Sequence, residues 1–459
     1  METNILADSR RIHFVGIGGI GVSALAQILH SHGKEISGSD QETSALTEIM
    51  SQDGIQILVG HSAENLSKNT ELVIHSLAIP DSNPELREAR KLHIPILSYP
   101  QAVGKLTRQF YTIAISGTHG KSTVTAMITK VLIENGFDPN VIIGTKLSEL
   151  GNNNFRVGSS KLLVLEACEY MRAFLNYHPR VSVIHTIDSD HLDYYKDFED
   201  YKSAFLEFAL KLPRDGHLIV NADDEDIHAI MQHMRKNKFP VYNTIMYGGE
   251  YVTADYNLKG DKIYKKNEPV GTLHLSVPGA HNRSNALAAF AVCSFMGIAK
   301  KNILKSLNSY GGAFRRFEIK GKIGKTVIID DYAHHPTEIR ATLQAAREKF
   351  SKGKICAVFQ PHQYSRTRQL LPEFATCFDD ADCVIVPNIY AARDSAYDKA
   401  SVSPQKLVDV ISANHKNAHY GDGFDNTLAI LRRSASKFTA IITMGAGDVW
   451  KIAESLLKK

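Results

Sequence analysis

The chain has 459 residues, 43% apolar and 22% charged, the balance of an ordinary globular protein long enough for two or three domains. Its net charge of +4 is small for that length and no long basic run stands out, so nothing argues for a nucleic-acid partner. METNILADSRR offers no apolar signal-sequence core, no stretch reaches the roughly 18 apolar residues of a membrane span, and five scattered cysteines without CxxC spacing read as reduced thiols of a cytoplasmic protein.

From Arg11, RIHFVGIGGIGVSALAQILHSHG predicts a strand, a glycine turn and an amphipathic helix ending near Gly33, and EISGSD a second strand ending at Asp40. Gly16, Gly18 and Gly21 satisfy G-x-G-x-x-G, with Gly19 in the same turn, a pattern that lets a diphosphate approach a helix N-terminus. NAD and a UDP-sugar both carry a diphosphate, so the pattern alone leaves both open. Asp40 reads equally as a ribose ligand or a strand-end turn residue. A strand at Leu72–Ser76, a helix from Asn83 to Leu92 opened by Pro84, and a short strand at Ile94–Tyr99 follow, with Ser76 facing the presumed ligand crevice. Residues 1–107 are thus expected to form a small α/β domain for a nucleotide or nucleotide-sugar.

In YTIAISGTHGKSTVTAMI, Tyr111 to Ile128, an apolar strand meets a glycine loop and then a helix with Val124, Met127, Ile128 and Val131 at helical spacing. Backbone N–H groups at such a helix start hold a polyphosphate; Lys121 adds a charge for the outer phosphates and the Ser122 hydroxyl suits Mg²⁺. The full phosphate-loop pattern has a further glycine five residues before Gly120, where this chain has Ile115, so Gly117, Thr118, His119, Gly120, Lys121, Ser122 and Thr123 form a shortened variant. ATP or GTP with Mg²⁺ is the expected ligand, against the alternative of a tight turn that happens to carry a lysine.

Strand Lys161–Leu165 delivers Glu166 and Glu169, the usual place for a Mg²⁺ carboxylate beside a phosphate loop. Strand Val181–Thr186 runs into Asp188, Asp190, His191 and Asp193, where His191 is either a second-metal ligand or a surface histidine. Another strand, Leu218–Val220, ends in Asn221, Asp223 and Asp224. The helix in PGAHNRSNALAAF carries His281, Asn282 and Asn285 on its first turn; the two amides share a face and could read a base edge, or cap the helix. Arg315 and Arg316 beside a glycine pair suggest a phosphate or carboxylate clamp, or an exposed basic turn.

Strand Thr326–Ile329 ends in DDYAHHPTEI, with Asp330, Asp331, His334 and His335 before a helix opened by Pro336. Strand Ile355–Phe359 ends in QPHQYSRTR, bringing Gln360, His362, Arg366 and Arg368, while Cys383–Val386 and Ala440–Met444 precede PNIYAARD and GAGDVW. Strand and helix alternate throughout, so the sheet here is expected to be mainly parallel, with its polar clusters at the strands' C-terminal ends, where open α/β sheets bind ligands.

Taken in order, GIGGIG, GTHGKST, EACEY, DSDHLDYY, HNRSN, RRFE, DDYAHHPTE, FQPHQYSRTR and GAGD resemble the Mur ligases across nearly the entire chain, most nearly the alanine-adding branch. The resemblance implies an α/β fold of three domains: an N-terminal Rossmann-like UDP-sugar domain (1–107), a central P-loop ATPase domain (108–316) and a C-terminal Rossmann-like ligase domain (317–459). It implies ATP and Mg²⁺, with UDP-N-acetylmuramate and L-alanine as small-molecule substrates, in a cytoplasmic monomer or weak homodimer. By the same resemblance Lys121 binds phosphate, and Ser122, Glu166 and His191 hold metal, which turns the reading of His191 towards a ligand. Asn282 and Asn285 match adenine-reading amides. Arg316 and Asp331 match contacts to ATP phosphate and ribose, with Arg315 able to exchange with its neighbour. His335, His362 and Arg366 match residues that hold the sugar's carboxylate and the amino acid. The UDP-sugar falls to Gly16, Gly18, Gly19, Gly21, Asp40 and Ser76.

Three departures stand out. Gln363 replaces an arginine common in alanine-adding relatives, Ser122 replaces a threonine, and Phe205, with Lys202 nearby but offset, stands where several family members carry a carbamylated lysine. Competing readings are a ligase that recycles a tripeptide onto the same UDP-sugar, a folylpolyglutamate-type relative, an NAD-dependent dehydrogenase and a nucleotide sensor without catalysis.

Overall fold

The computed structural model describes residues 5–191, 194–239, 243–249, 254–392 and 394–458; Asp193 lies outside them. Apolar runs of four to six residues alternate with amphipathic helices, and parallel strands require such crossovers. Three sheets result.

The first contains β1 (Arg11–Val15), β2 (Glu35–Asp40), β3 (Gln56–Val59), β4 (Leu72–His75) and β5 (Ile96–Ser98), all parallel, in the order β3-β2-β1-β4-β5. The order reverses beside β1, the central strand that leads into the first glycine loop, so that loop opens at the switch point where such sheets take ligands. A helix at Ala45–Gln52 and β3 are additions to the sequence reading. The predicted strand at 94–99 is shortened to Ile96–Ser98; at its C-terminal end Tyr99 already starts a helix, Tyr99–Thr107, with Pro100 in its first turn.

The second sheet contains β6 (Tyr111–Ser116), β7 (Asn140–Leu147), β8 (Asn153–Arg156), β9 (Leu162–Glu166), β10 (Val181–Ile184), β11 (His217–Asn221), β12 (Thr244–Gly248), β13 (Tyr256–Lys259), β14 (Lys262–Lys265) and β15 (Glu268–Thr272). They run β15-β14-β13-β12-β11-β10-β6-β9-β7-β8, parallel in the centre with antiparallel pairs at both edges. Strand β6, flanked by β9 and β10, feeds the helix Lys121–Glu134. Its neighbours therefore deliver EACEY and the Asp188–His191 loop to the same end of the sheet as the glycine loop.

The third sheet contains β16 (Glu318–Ile323), β17 (Thr326–Asp331), β18 (Ile355–Phe359), β19 (Cys383–Val386), β20 (Ala418–Tyr420) and β21 (Ala440–Met444), ordered β16-β17-β21-β18-β19-β20. Only the β16 edge is antiparallel. Strand β17 runs two residues further than the apolar run predicts, so Asp330 and Asp331 lie within it and are buried. Each aspartate has strand-end donors to satisfy it, which is how the ladder tolerates them.

The chain divides into two compact units, residues 1–274 with 284–308, and residues 275–283 with 309–459. The first holds two of the three α/β domains, joined by one continuous apolar cluster that runs from Leu6 and Phe14 to Phe205 and Met234. The second holds the third. No helix among the described residues is long and apolar enough to cross a membrane.

Candidate functional site

The loop after β6 is shaped by its glycines. Gly117 has φ +138 and Gly120 φ +79, left-handed conformations that glycine adopts without a steric cost. The helix that follows starts at Lys121 with Gly120 as its N-cap and no side-chain cap. Such a terminus concentrates the helix's positive end on whatever anion sits above it. Thr118 and His119 are held from the side: their N–H groups donate to the Thr186 carbonyl at 2.8 Å and the Thr186 hydroxyl at 2.9 Å, and the Thr118 hydroxyl meets that of Tyr201 at 2.8 Å. The His119 ring stands 3.0 Å from Asp188, which fixes the imidazole against the loop. Thr123 is buried below.

The four predicted phosphate and metal residues lie here, Ser122 against Glu166, and Lys121 and His191 against Glu169. The Ser122 hydroxyl donates to Glu166 at 3.0 Å, and the second oxygen of Glu166 accepts the Gly144 N–H at 2.7 Å. Two hard oxygen donors side by side at an uncapped helix start fit a Mg²⁺–polyphosphate pair. Lys121 Nζ donates to the loop's own carbonyls of Gly117 (2.5 Å) and Thr118 (3.0 Å), and to Glu169 at 2.9 Å. Burial opposes the charge of both partners; their mutual attraction outweighs it, holding Lys121 above the usual lysine value and Glu169 below the usual carboxylate range. His191 Nε2 lies 3.5 Å from Glu169, so Glu169 sits between the lysine and the histidine. Sequence reading offered Glu169 with Glu166 as a Mg²⁺ carboxylate but missed its pairing with Lys121, which lies 48 residues away.

Asn285 packs directly on this loop: a Cβ on Gly120 would stand 2.5 Å from its Oδ1. Asn282, also buried, donates its amide to the Pro278 carbonyl at 2.7 Å. Phe205 is buried and stacks edge-on against Phe174 and Tyr201, while Lys202 pairs with Glu199 and Asp226.

The first glycine loop repeats the device. Gly16 has φ +77, and the helix Ile20–Ser31 begins after Gly19 with no side-chain cap. A Cβ on Gly21 would fall 2.7 Å from the Tyr99 ring, and one on Gly16 3.1 Å from Ser76. Asp40 ends β2 as the strand-end turn residue its position predicts, its Oδ1 accepting the Gln41 N–H at 2.8 Å, and its Oδ2 accepts the Gly18 N–H at 2.8 Å, so it also braces the loop.

In the second unit, Arg315 and Arg316 part company. Arg315 is buried, with Nε on Asp330 at 2.7 Å and its two terminal nitrogens on the carbonyls of Gly447 (2.9 Å) and Gly445 (2.5 Å). All three nitrogens of its fork are spent on the fold. Arg316 lies with its guanidinium 5.0 Å over the Tyr332 ring. Asp331 accepts the N–H groups of Phe317 (2.7 Å) and Ala333 (2.8 Å). Burial raises its pKa, against the pull of Arg316.

His362 stacks on Tyr390, ring centroids 5.5 Å apart, and Arg366 reaches its Nδ1 at 3.4 Å, so those two predicted residues meet. His335 instead caps the helix Pro336–Lys349, and it is His334 whose ring lies 6.2 Å from that of His362. Gln363 is buried at φ +71 and donates to the Ala392 carbonyl at 3.0 Å.

Known proteins match this arrangement in order. The Mur ligase family catalytic domain matches residues 11–111, the Mur ligase middle domain 115–293, and the Mur ligase, glutamate ligase domain 315–447. A UDP-N-acetylmuramate--L-alanine ligase of Acetivibrio thermocellus is 41% identical over 454 residues, 98% of this chain and 96% of the relative. Among solved structures, a UDP-N-acetylmuramate-alanine ligase from Thermotoga maritima superposes with TM-score 0.81 at 30% identity, covering 97% of this chain and 98% of its own. A murein peptide ligase from Psychrobacter arcticus shares the fold, with TM-score 0.73 at 21% identity over 98% of each chain. With all three domains matched in sequence order and relatives of this identity spanning its whole length, the chain belongs to the Mur ligase family.

Proposed function

We propose that this chain is an ATP-dependent ligase that joins L-alanine to the lactyl carboxylate of UDP-N-acetylmuramate in the cytoplasm, for peptidoglycan synthesis. The observation that carries the reading is full-length identity near 40% to relatives that bear that activity in their names, together with a nucleotide site whose groups are all present. The murein peptide ligase resemblance, at 21%, supports the common fold only.

A carboxylate is a poor electrophile at neutral pH. Its oxygen attacks the γ-phosphorus of ATP, the bond to the β-phosphate oxygen breaks, and ADP leaves behind an acyl phosphate. Alanine's ammonium first gives one proton to solvent; the free amine nitrogen then attacks the acyl carbon, phosphate departs, and a second proton leaves the nitrogen, which keeps one N–H in the amide. In this scheme the helix start at Lys121 binds the polyphosphate, and Lys121 exchanges loop carbonyls and Glu169 for phosphate oxygens. Ser122, Glu166 and His191 are the residues for Mg²⁺, which when bound neutralises the crowded phosphate charge. Asn285 and Asn282 are assigned to the adenine, Arg316 and Asp331 to the phosphate and ribose, and His335, His362 and Arg366 to the carboxylate and amino acid. The glycines from Gly16 to Gly21, with Asp40 and Ser76, are assigned to the UDP-sugar. Most of the catalysis asked of the protein is positioning and charge stabilisation.

The test is phosphate release from Mg²⁺–ATP with UDP-N-acetylmuramate, comparing L-alanine with glycine, serine and the L-Ala-D-Glu-diaminopimelate tripeptide. Release that needs both the sugar and L-alanine is expected. Release with the tripeptide alone would move the enzyme to the recycling branch.

A further inference from the structure

The N-terminal domain hides a second polar cluster, beneath the first glycine loop rather than at it. Glu85, in the first turn of the helix Pro84–Lys91, is fully buried, as are His13 on β1 and Ser39 on β2. One carboxylate oxygen of Glu85 accepts from His13 Nε2 at 2.9 Å and from the Ser39 hydroxyl at 2.7 Å. The other accepts from Asn65 Nδ2 at 3.0 Å, the Ser62 N–H at 3.3 Å and His61 Nδ1 at 3.3 Å; the same His61 nitrogen lies 3.0 Å from the Ser39 hydroxyl. Every neighbour donates. Burial would raise the pKa of this carboxyl, but the hydrogen bonds from His13, Ser39 and Asn65 hold it below the usual range.

Each arm ends at the glycine loop. His13 lies on the strand that enters it. Ser39, whose hydroxyl binds Glu85, uses its carbonyl to accept the N–H groups of Gly16 at 2.8 Å and Ile17 at 3.0 Å. The third arm passes through Asn65, which also holds the Gly60 carbonyl at 2.9 Å, while the Gly60 N–H donates to the Asp40 carbonyl at 2.7 Å and Asp40 in turn accepts from Gly18. Replacing a buried charge by an apolar side chain is often neutral where the charge only fills space; this one is anchored to β1 by His13 and linked through Ser39, and through Asn65, Gly60 and Asp40, to Gly16, Ile17 and Gly18 of the diphosphate turn.

The geometry points to Glu85 as a positioning residue for the sugar nucleotide, acting through Ser39 and Asp40 on the turn Gly16–Gly18; this rests on the reading of that turn as the UDP-sugar site. Glu85→Gln exchanges an acceptor for an amide NH₂ facing donors, so the strand ends must shift. The loop at Lys121 is untouched by the network, and the two substrates are therefore affected unequally.

The experiment is steady-state kinetics of the full chain for wild type, Glu85→Gln and the milder Ser39→Ala, with calorimetric binding of UDP-N-acetylmuramate. The expected result is a KM and Kd for the sugar nucleotide at least tenfold higher in Glu85→Gln and several-fold higher in Ser39→Ala. The KM for ATP and the kcat at saturating sugar should stay within about twofold. A folded Ser39→Ala with an unchanged sugar KM, or equal losses for both substrates, overturns the role. Those results require a wild type with sugar-dependent turnover; a wild type lacking it, with no sugar binding by calorimetry, overturns the functional reading as well.

Discussion

Gly120→Ala separates two costs that a glycine loop combines. At φ +79 an alanine pays about 1–2 kcal/mol for the left-handed conformation alone. Its Cβ would also lie 2.5 Å from Asn285 Oδ1 and 2.5 and 2.9 Å from two atoms of the His185 ring. Neither neighbour can retreat easily: both are buried, and His185 is anchored through Nδ1 to the Tyr247 hydroxyl at 2.6 Å. Overpacking of that kind costs about 1–3 kcal/mol, for a total of about 2–5 kcal/mol. Gly136, just beyond the other end of the same helix, supplies the control, with φ +82 and nothing within 4 Å of an added Cβ. Chemical denaturation should therefore show Gly136→Ala destabilised by the conformational part only and Gly120→Ala by about 1–3 kcal/mol more, with ATP affinity lost in Gly120→Ala alone. If the two variants unfold alike and both bind ATP as wild type does, the account of the loop as a sterically closed phosphate cradle is wrong.

Lys121→Ala should lower turnover on the order of 10²–10³-fold while leaving UDP-sugar affinity unchanged, since its contacts are with transferring phosphates; unaltered turnover would refute that role. Ser122→Ala should raise the Mg²⁺ concentration needed for half-maximal activity, whereas Ser122→Thr, which keeps the hydroxyl, should not; equal Mg²⁺ curves for all three proteins would remove Ser122 from the metal site. Burial, aided by Arg283, pushes the His281 imidazole down to about 4 from an ordinary 6.5. A depressed histidine binds fewer protons folded than unfolded, so stability is full above pH 6.5 and falls by about 3 kcal/mol as pH drops through 4. His281→Gln should flatten that part of the stability profile measured by denaturant titration, and an unchanged slope would count against the burial argument.

Most of the architecture was legible because its determinants are local. Apolar runs, helix starts such as Asn83-Pro84 and His335-Pro336, and glycines at positive φ mark their own positions. What resisted reading was set by partners distant in sequence or by backbone turns. Nothing in RRFE tells Arg315 from Arg316; the φ of +57 at Arg315 breaks the extended alternation and sends that side chain inward to Asp330. The histidine pair HH is similar, where capping of the following helix takes His335 and leaves His334 facing His362. The edge hairpin of β7 and β8 was missed for the opposite reason, since its strands pair with a register shift and carry little alternation.

The two glycine loops use one physical device, an uncapped helix start reached through left-handed glycines, and the surroundings decide what each can hold. In a dinucleotide site the acid at the end of the second strand must offer its oxygens to a ribose. Here Asp40 has turned inward: one oxygen holds the Gly18 N–H at 2.8 Å and the other the Gln41 N–H at 2.8 Å. Each of those oxygens keeps a further lone pair and the side chain is only half-buried, so Asp40 can brace the closed glycine loop and still accept a hydrogen bond from a ligand hydroxyl. The choice between NAD and a sugar nucleotide is therefore carried by the match to the Mur ligases over the whole chain rather than by this carboxylate. G-x-G-x-x-G followed by an acid specifies a turn for a diphosphate, and the rest of the chain says which diphosphate.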